Sequence, residues 1–305
     1  MQKSGIISSM RLLGVGVVLF FSFSLSSQSN NAVFTIESKH NHSETHLRVL
    51  QKKPEIFHME MAGLALQPVA PDEISSACTG VFISYSTESG EVAADGNGNN
   101  SPYTQALAGL LTQADLTLQK MSKIVRKEVI DSSISKPGST LPNQQPMYVD
   151  ATGCDYQLAD KSDTRARIAL VIGNSNYSNV TKLKNPENDA ELIAPKLLRL
   201  NFDVNLLIDG NYKQMNNAIA ELKKNAKNSV NGSVVVIFYA GHGFEVSGRQ
   251  YWAPVDIPAN KNKFDDIVGD VIPFTNLMGN DVGNKSLIII FNDTVRDNPF
   301  TTPGR

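Results

Sequence analysis

A basic surplus is the first thing this 305-residue chain lacks: 28 Lys and Arg stand against 30 Asp and Glu, a formal net charge of −2. A nucleic-acid surface draws on a clear excess of Lys and Arg, so that class of partner is set aside. Cysteine is also scarce, with Cys78 and Cys154 the two present. Their spacing forms no metal-ligand pattern, and no metal centre is expected. Two readings of the pair stay open, a structural bridge and two separate buried thiols. No apolar run reaches the roughly 20 residues that span a bilayer as a helix. What is present is ordinary globular material, 41% hydrophobic and 19% charged, enough for one sizeable core or two modest ones.

The N-terminus reads as an export signal. Lys3 and Arg11 supply positive charge, Leu12 to Leu25 is apolar apart from Gly and Ser, and Ser27-Gln28-Ser29 fits a small-x-small cleavage pattern. An uncleaved anchor is the competing reading, and it is the one case in which the chain would meet a membrane. Either way the expected location is outside the cytoplasm, periplasmic or extracellular. The expected organisation is a signal over 1–29, a polar linker over 30–60, one half over 61–150, a connector over 151–164 and a second half over 165–305.

In the first half, Val81 to Tyr85 is a short β-branched and aromatic strand. Ser101-Pro102 starts a helix, with Ser as N-cap and Pro in the first position. Leu118, Met121, Val125 and Val129 recur at helical spacing in a second helix. The second half alternates apolar strands (Arg167–Ile172, Phe202–Ile208, Ser233–Tyr239, Leu287–Phe291) with helices over 188–200 and 212–226. Such alternation predicts an α/β fold, a mostly parallel sheet covered on both faces, with reactive groups at the carboxyl ends of its strands. Two of those strands end in polar residues, Gly241-His242-Gly243 and Asn292-Asp293-Thr294. A His between glycines reads as a sharp turn that exposes a general base beside a nucleophile; a His that only packs or caps is the bland alternative.

Arg167-Ile-Ala-Leu-Val-Ile-Gly-Asn-Ser-Asn-Tyr177, Leu183-Lys-Asn-Pro-Glu-Asn-Asp-Ala190, Phe238-Tyr-Ala-Gly-His-Gly243, Tyr251-Trp-Ala-Pro-Val-Asp256 and Arg296-Asp-Asn-Pro-Phe300 follow one another in an order that resembles the large-subunit half of the caspase and metacaspase peptidases. The stretch from Gly80 to Thr104, with Asp95, Gly96 and Asn100-Ser101-Pro102-Tyr103-Thr104, resembles the small-subunit half of bacterial caspase-like proteins. In the family that half follows the nucleophile strand; here it comes first, so the chain resembles a circular permutation, and Met61–Leu66 resembles the segment that normally follows Asn-Pro-Phe. The resemblance implies a caspase-like three-layer α/β/α sandwich built from both halves.

It also implies a set of site residues. His242 corresponds to the base, Gly241 and Gly243 to the turn beside the oxyanion site, and Asp189 and Asp293 to the acids that in metacaspases line a pocket for a basic side chain. For Asp189 a helix-start role competes, and Asp95, Gly96 and Asn100 are read as turn residues first. The family's nucleophile segment, Asp-Ala-Cys-Arg, falls without gaps on Asp293-Thr294-Val295-Arg296, which puts Val295 in the cysteine position; a one-residue insertion would substitute Thr294. Neither is a thiol, and Cys78 and Cys154 follow no strand that could deliver one to His242. The leading expectation is a caspase-like pseudopeptidase that binds basic peptide or protein segments, or pairs with an active homologue through a sheet edge. An active cysteine-type endopeptidase cleaving after Arg or Lys is the alternative, and a purely structural domain a third. No cofactor is implied beyond calcium.

Overall fold

The computed structural model describes residues 18–25, 32–40, 43–51, 78–88, 98–134, 144–246, 248–258, 267–278, 282 and 285–295. The chain divides into two compact units, Met1–Ile74 and Ser75–Arg305. In the first, Val18–Leu25 (β1), Ala32–His40 (β2) and Ser43–Gln51 (β3) form an antiparallel sheet in chain order. These strands fall on the apolar run of the expected signal and on the expected linker. Phe34 and Ile36 alternate with Thr35 and Glu37, a period-two pattern that favours a strand and that bulk polarity conceals. Met61–Leu66, Asp95, Gly96 and Arg296–Phe300 lie outside the described residues.

The second unit begins with Gly80–Tyr85 (β4), the helices Pro102–Leu110 (α1) and Leu118–Ile134 (α2), and Met147–Asp150 (β5). Ala166–Gly173 (β6), Pro186–Arg199 (α3), Asp203–Ile208 (β7) and Tyr212–Lys227 (α4) follow. Ser233–Val246 (β8), Arg249–Trp252 (β9), Ile272–Pro273 (β10) and Leu287–Val295 (β11) complete it. Across the main sheet the order is β7-β6-β8-β11-β4-β5; neighbours are parallel except β5, which runs antiparallel on the edge. The far end of β8 pairs antiparallel with β9, and β9 with β10. β4, the first described strand of this unit, therefore lies beside β11, the last.

Strands apolar on both faces need cover on both. On one side Leu107, Leu111, Met121, Val125, Ile193 and Leu197 from α1, α2 and α3 pack on Phe82, Val236 and Phe291. On the other, Met215, Ile219 and Leu222 of α4 join Trp252 and Phe274 over Leu170, Ile237 and Ile290 of the sheet. Each such side chain contributes roughly 2 kcal/mol by leaving water. This is a three-layer α/β/α sandwich. α3 runs through Pro195 as one helix, and its start presses on the end of β6: a Cβ on Gly173 would lie 2.3 Å from the Pro186 carbonyl oxygen. That close approach brings the first turn of α3 to the carboxyl rim of the sheet.

The opposite, amino rim is tied by a knot of polar contacts. Cys78 and Cys154 are joined in a disulfide, with Cα atoms 5.8 Å apart. Arg165 donates to the Cys78 carbonyl at 2.6 Å and grips Asp163 through Nε and Nη2 at 3.0 and 2.7 Å. Burial pushes the Asp163 carboxyl up, but hydrogen bonds from Arg165 outweigh it and hold the group down at about 2. A folded value below the ordinary 3.8 stabilises the fold above about pH 4, and that contribution is lost as pH falls toward 2. Allowing for solvent screening it amounts to about 1 kcal/mol. Urea midpoints at pH 4.5 and pH 2.5 should therefore differ less in Asp163→Asn than in the native protein; equal acid sensitivity would remove this ion pair from the explanation.

Candidate functional site

Every parallel strand of the sheet ends at the same rim, and β8 delivers His242 there. The sequence reading of a turn at Gly241–Gly243 is corrected: β8 continues as a strand to Val246. Its glycines serve close approaches instead. Gly241 has φ +154° and a Cβ there would lie 2.7 Å from the hydroxyls of both Tyr177 and Tyr239, while a Cβ on Gly243 would lie 2.6 Å from Thr294 Cγ2. His242 is buried, with its imidazole 4.6 Å from the Tyr177 ring. Nε2 lies 2.7 Å from the Thr181 carbonyl oxygen. A carbonyl only accepts, so Nε2 carries the proton, and in the neutral ring Nδ1 is the basic nitrogen. Sequence reading missed Thr181 because it acts through a backbone group that every residue has.

β11 pairs with β8 step by step from Leu287 opposite Val234 to Val295 opposite His242, with no bulge. Val295 thus occupies the strand position beside the histidine, on a neighbour about 4.8 Å away. Asn292 is buried and accepts from Trp252 Nε1 at 2.8 Å. Thr294 is buried against Gly243. Alternation along β8 puts Gly243 and His242 on opposite faces, so the Thr294 hydroxyl faces away from the imidazole.

Asp189 and Asp293 come together around the start of α1. Asp189, in the first turn of α3, accepts from Asn100 Nδ2 at 2.9 Å and from the Ser101 amide at 3.0 Å. Asp293 accepts from the Ser101 hydroxyl in a short hydrogen bond and from Thr104 Oγ1 at 2.7 Å. Ser101 is also the α1 N-cap, accepting from the Thr104 amide at 3.0 Å. The positive end of α1 and its side-chain donors offset the cost of burying two carboxylates. Asn100 sits in the bend that precedes α1, and its side-chain amide reaches Asp189 from there. Ser101 was read only as a helix N-cap and Thr104 only as part of the resemblance; their spacing, with Asn100 alongside, was the available signal for a polar helix end aimed at acids.

The disulfide settles the pair of readings left open for Cys78 and Cys154. Cys78 precedes β4 at the amino rim, roughly 20 Å from its carboxyl end, so neither sulfur stands near His242. Among the described residues no group of three or more His, Cys, Asp or Glu side chains is arranged to hold a metal ion.

A parallel sheet sandwiched by helices, with His242 and two acids at its carboxyl rim, defines a caspase-type α/β protein. The sequence model of the caspase domain matches residues 24–153 and 166–296, and the chain belongs to that peptidase family. It is also 36% identical over 102 residues to human mucosa-associated lymphoid tissue lymphoma translocation protein 1, a match covering 33% of this chain and 12% of that protein. The mouse homologue is 37% identical over 92 residues, covering 30% and 11% respectively. The chain thus spans about an eighth of the length of these relatives.

Proposed function

We propose that this protein is a caspase-fold pseudopeptidase that binds basic peptide segments without cutting them. Val295 in register with His242 carries this reading: valine has no nucleophilic atom, Thr294 faces away, and both cysteines are consumed in a bridge on the other rim. Asp189 and Asp293 supply the binding chemistry, since buried carboxylates on rigid elements form charge-assisted hydrogen bonds with Arg or Lys. Support for a circularly permuted order comes from the two separate family matches and from β4 lying next to β11. The bridge supports an oxidising, exported setting.

Peptides ending in Arg or Lys should bind in fluorescence anisotropy, while Gln-ending counterparts bind at least about tenfold more weakly. Asp293→Asn should lower the affinity for basic peptides by roughly tenfold to a hundredfold, the range for a charged hydrogen-bond partner. Equal affinity for basic and neutral peptides would sink the pocket. Hydrolysis by the native chain, lost in His242→Ala, would instead support an active endopeptidase, the reading favoured by the tautomer that Thr181 imposes on His242.

A further inference from the structure

β6 stops at Gly173, opposite Ala240, and the Asn174 amide gives its hydrogen bond to the Ala240 carbonyl at 2.9 Å. Beyond that point β9 covers this flank of β8, pairing Trp252 with Gly243, and the Ala253 amide gives its hydrogen bond to the His242 carbonyl at 3.0 Å. Two buried phenols complete the junction between β6 and β9. The His242 amide donates to the Tyr177 hydroxyl at 2.8 Å, and the Tyr239 hydroxyl donates to the His242 carbonyl at 2.8 Å. The Tyr239 and Tyr177 hydroxyls also lie 3.1 and 3.3 Å from the Ala253 carbonyl, and 3.4 Å from each other. The histidine's amide is therefore held by a side chain where β6 has ended, and its carbonyl by the Ala253 amide and the Tyr239 hydroxyl together.

The same elements hold the acceptor of the ring. Asp209 Oδ1 accepts from the amides of Ser175 and Asn176 at 2.8 and 2.9 Å, and the Leu183 amide closes the loop onto the Ser175 carbonyl at 3.0 Å. That loop carries both Tyr177 and Thr181. Gly241 is required for the arrangement, because any Cβ there would collide with both phenol oxygens.

We infer that Tyr177 and Tyr239 are positioning residues that clamp the His242 backbone and, through it, keep Nε2 on the Thr181 carbonyl with Nδ1 as the basic nitrogen. The clamp preforms the histidine half of the dyad in a chain that has no thiol beside it. Burial raises both phenols above their ordinary range, so they remain protonated donors across the working pH range. The inference rests on reading His242 as the family's base, but not on the peptide pocket.

The test is the imidazole nitrogen–proton correlation spectrum of the 15N-labelled native protein, with His242 assigned by its disappearance in His242→Gln. Neutral His242 is expected as the Nε2–H tautomer. Tyr177→Phe and Tyr239→Phe should each introduce the second tautomer, whereas Tyr156→Phe, which also loses a buried phenol contact but at the amino rim, should not. In a Val295→Cys background the clamp variants should lower kcat roughly tenfold to a hundredfold with KM unchanged, the effect of a misplaced catalytic group. A native His242 protonated on Nδ1 would overturn the inference without any variant. So would folded clamp variants with native-like ring spectra, or a Tyr156→Phe spectrum altered in the same way. Failure of basic peptides to bind would count against the pocket alone and leave these spectra unchanged.

Discussion

Val295→Cys is expected to convert the protein into a peptidase for Arg- and Lys-ending substrates, with a rate at least about a thousandfold above the native chain. The argument is geometric. Position 295 already lies beside His242 in unbroken register, and the bond from Nε2 to Thr181 makes Nδ1 the ring nitrogen that would take a thiol proton. A thiol is the one group whose addition completes nucleophile and base, and a thiolate is intrinsically far more reactive than an alkoxide precursor such as threonine. Activity should disappear in Val295→Cys/His242→Ala. Thr294→Cys should stay silent, because that side chain packs under Gly243 on the face away from the imidazole. Chromogenic peptide assays on the three variants decide the matter: activity in Thr294→Cys but not in Val295→Cys would show that the nucleophile frame is shifted by one residue.

The second large effect concerns stability. Cys78 and Cys154 are 76 residues apart in sequence, and closing a loop of that size restricts the unfolded chain by about 4 kcal/mol in the chain-entropy treatment. Cys78→Ser/Cys154→Ser should therefore lower the midpoint of thermal unfolding by roughly 10 °C for a unit of this size. A reductant should lower the native protein to the same point and leave the double variant unchanged. Basic-peptide binding below the transition should survive in the variant, since the bridge sits on the amino rim and the acids on the carboxyl rim. A double variant as stable as the native protein would show that the unfolded chain gains little freedom when the bridge is lost.

Much of the fold was legible in residue patterns. Continuous apolar runs such as Leu287–Phe291 read directly as strands buried on both faces, and Leu118, Met121, Val125 and Val129 as one face of a helix, because burial imposes these periods locally. The extent of β8 was not legible: Gly241 and Gly243 look like turn residues, and only their neighbours across space, two phenols and Thr294, explain why glycine stands there in a strand. The same holds for Thr181, whose contribution is a carbonyl, and for Ser101 and Thr104, whose hydroxyls acquire their role from Asp293, 192 and 189 residues away.

The sequence by itself determined the layered α/β architecture, the presence of the Gly-His-Gly segment and the lack of a thiol in the Asp293–Arg296 stretch, since these depend on residue identity and local period. Tertiary structure alone decided that the two cysteines are spent on a bridge, that Val295 rather than Thr294 pairs with the histidine, and that acids and helix start from opposite halves of the chain meet. Those outcomes depend on strand register and on which elements pack together, and neither is encoded in any single segment.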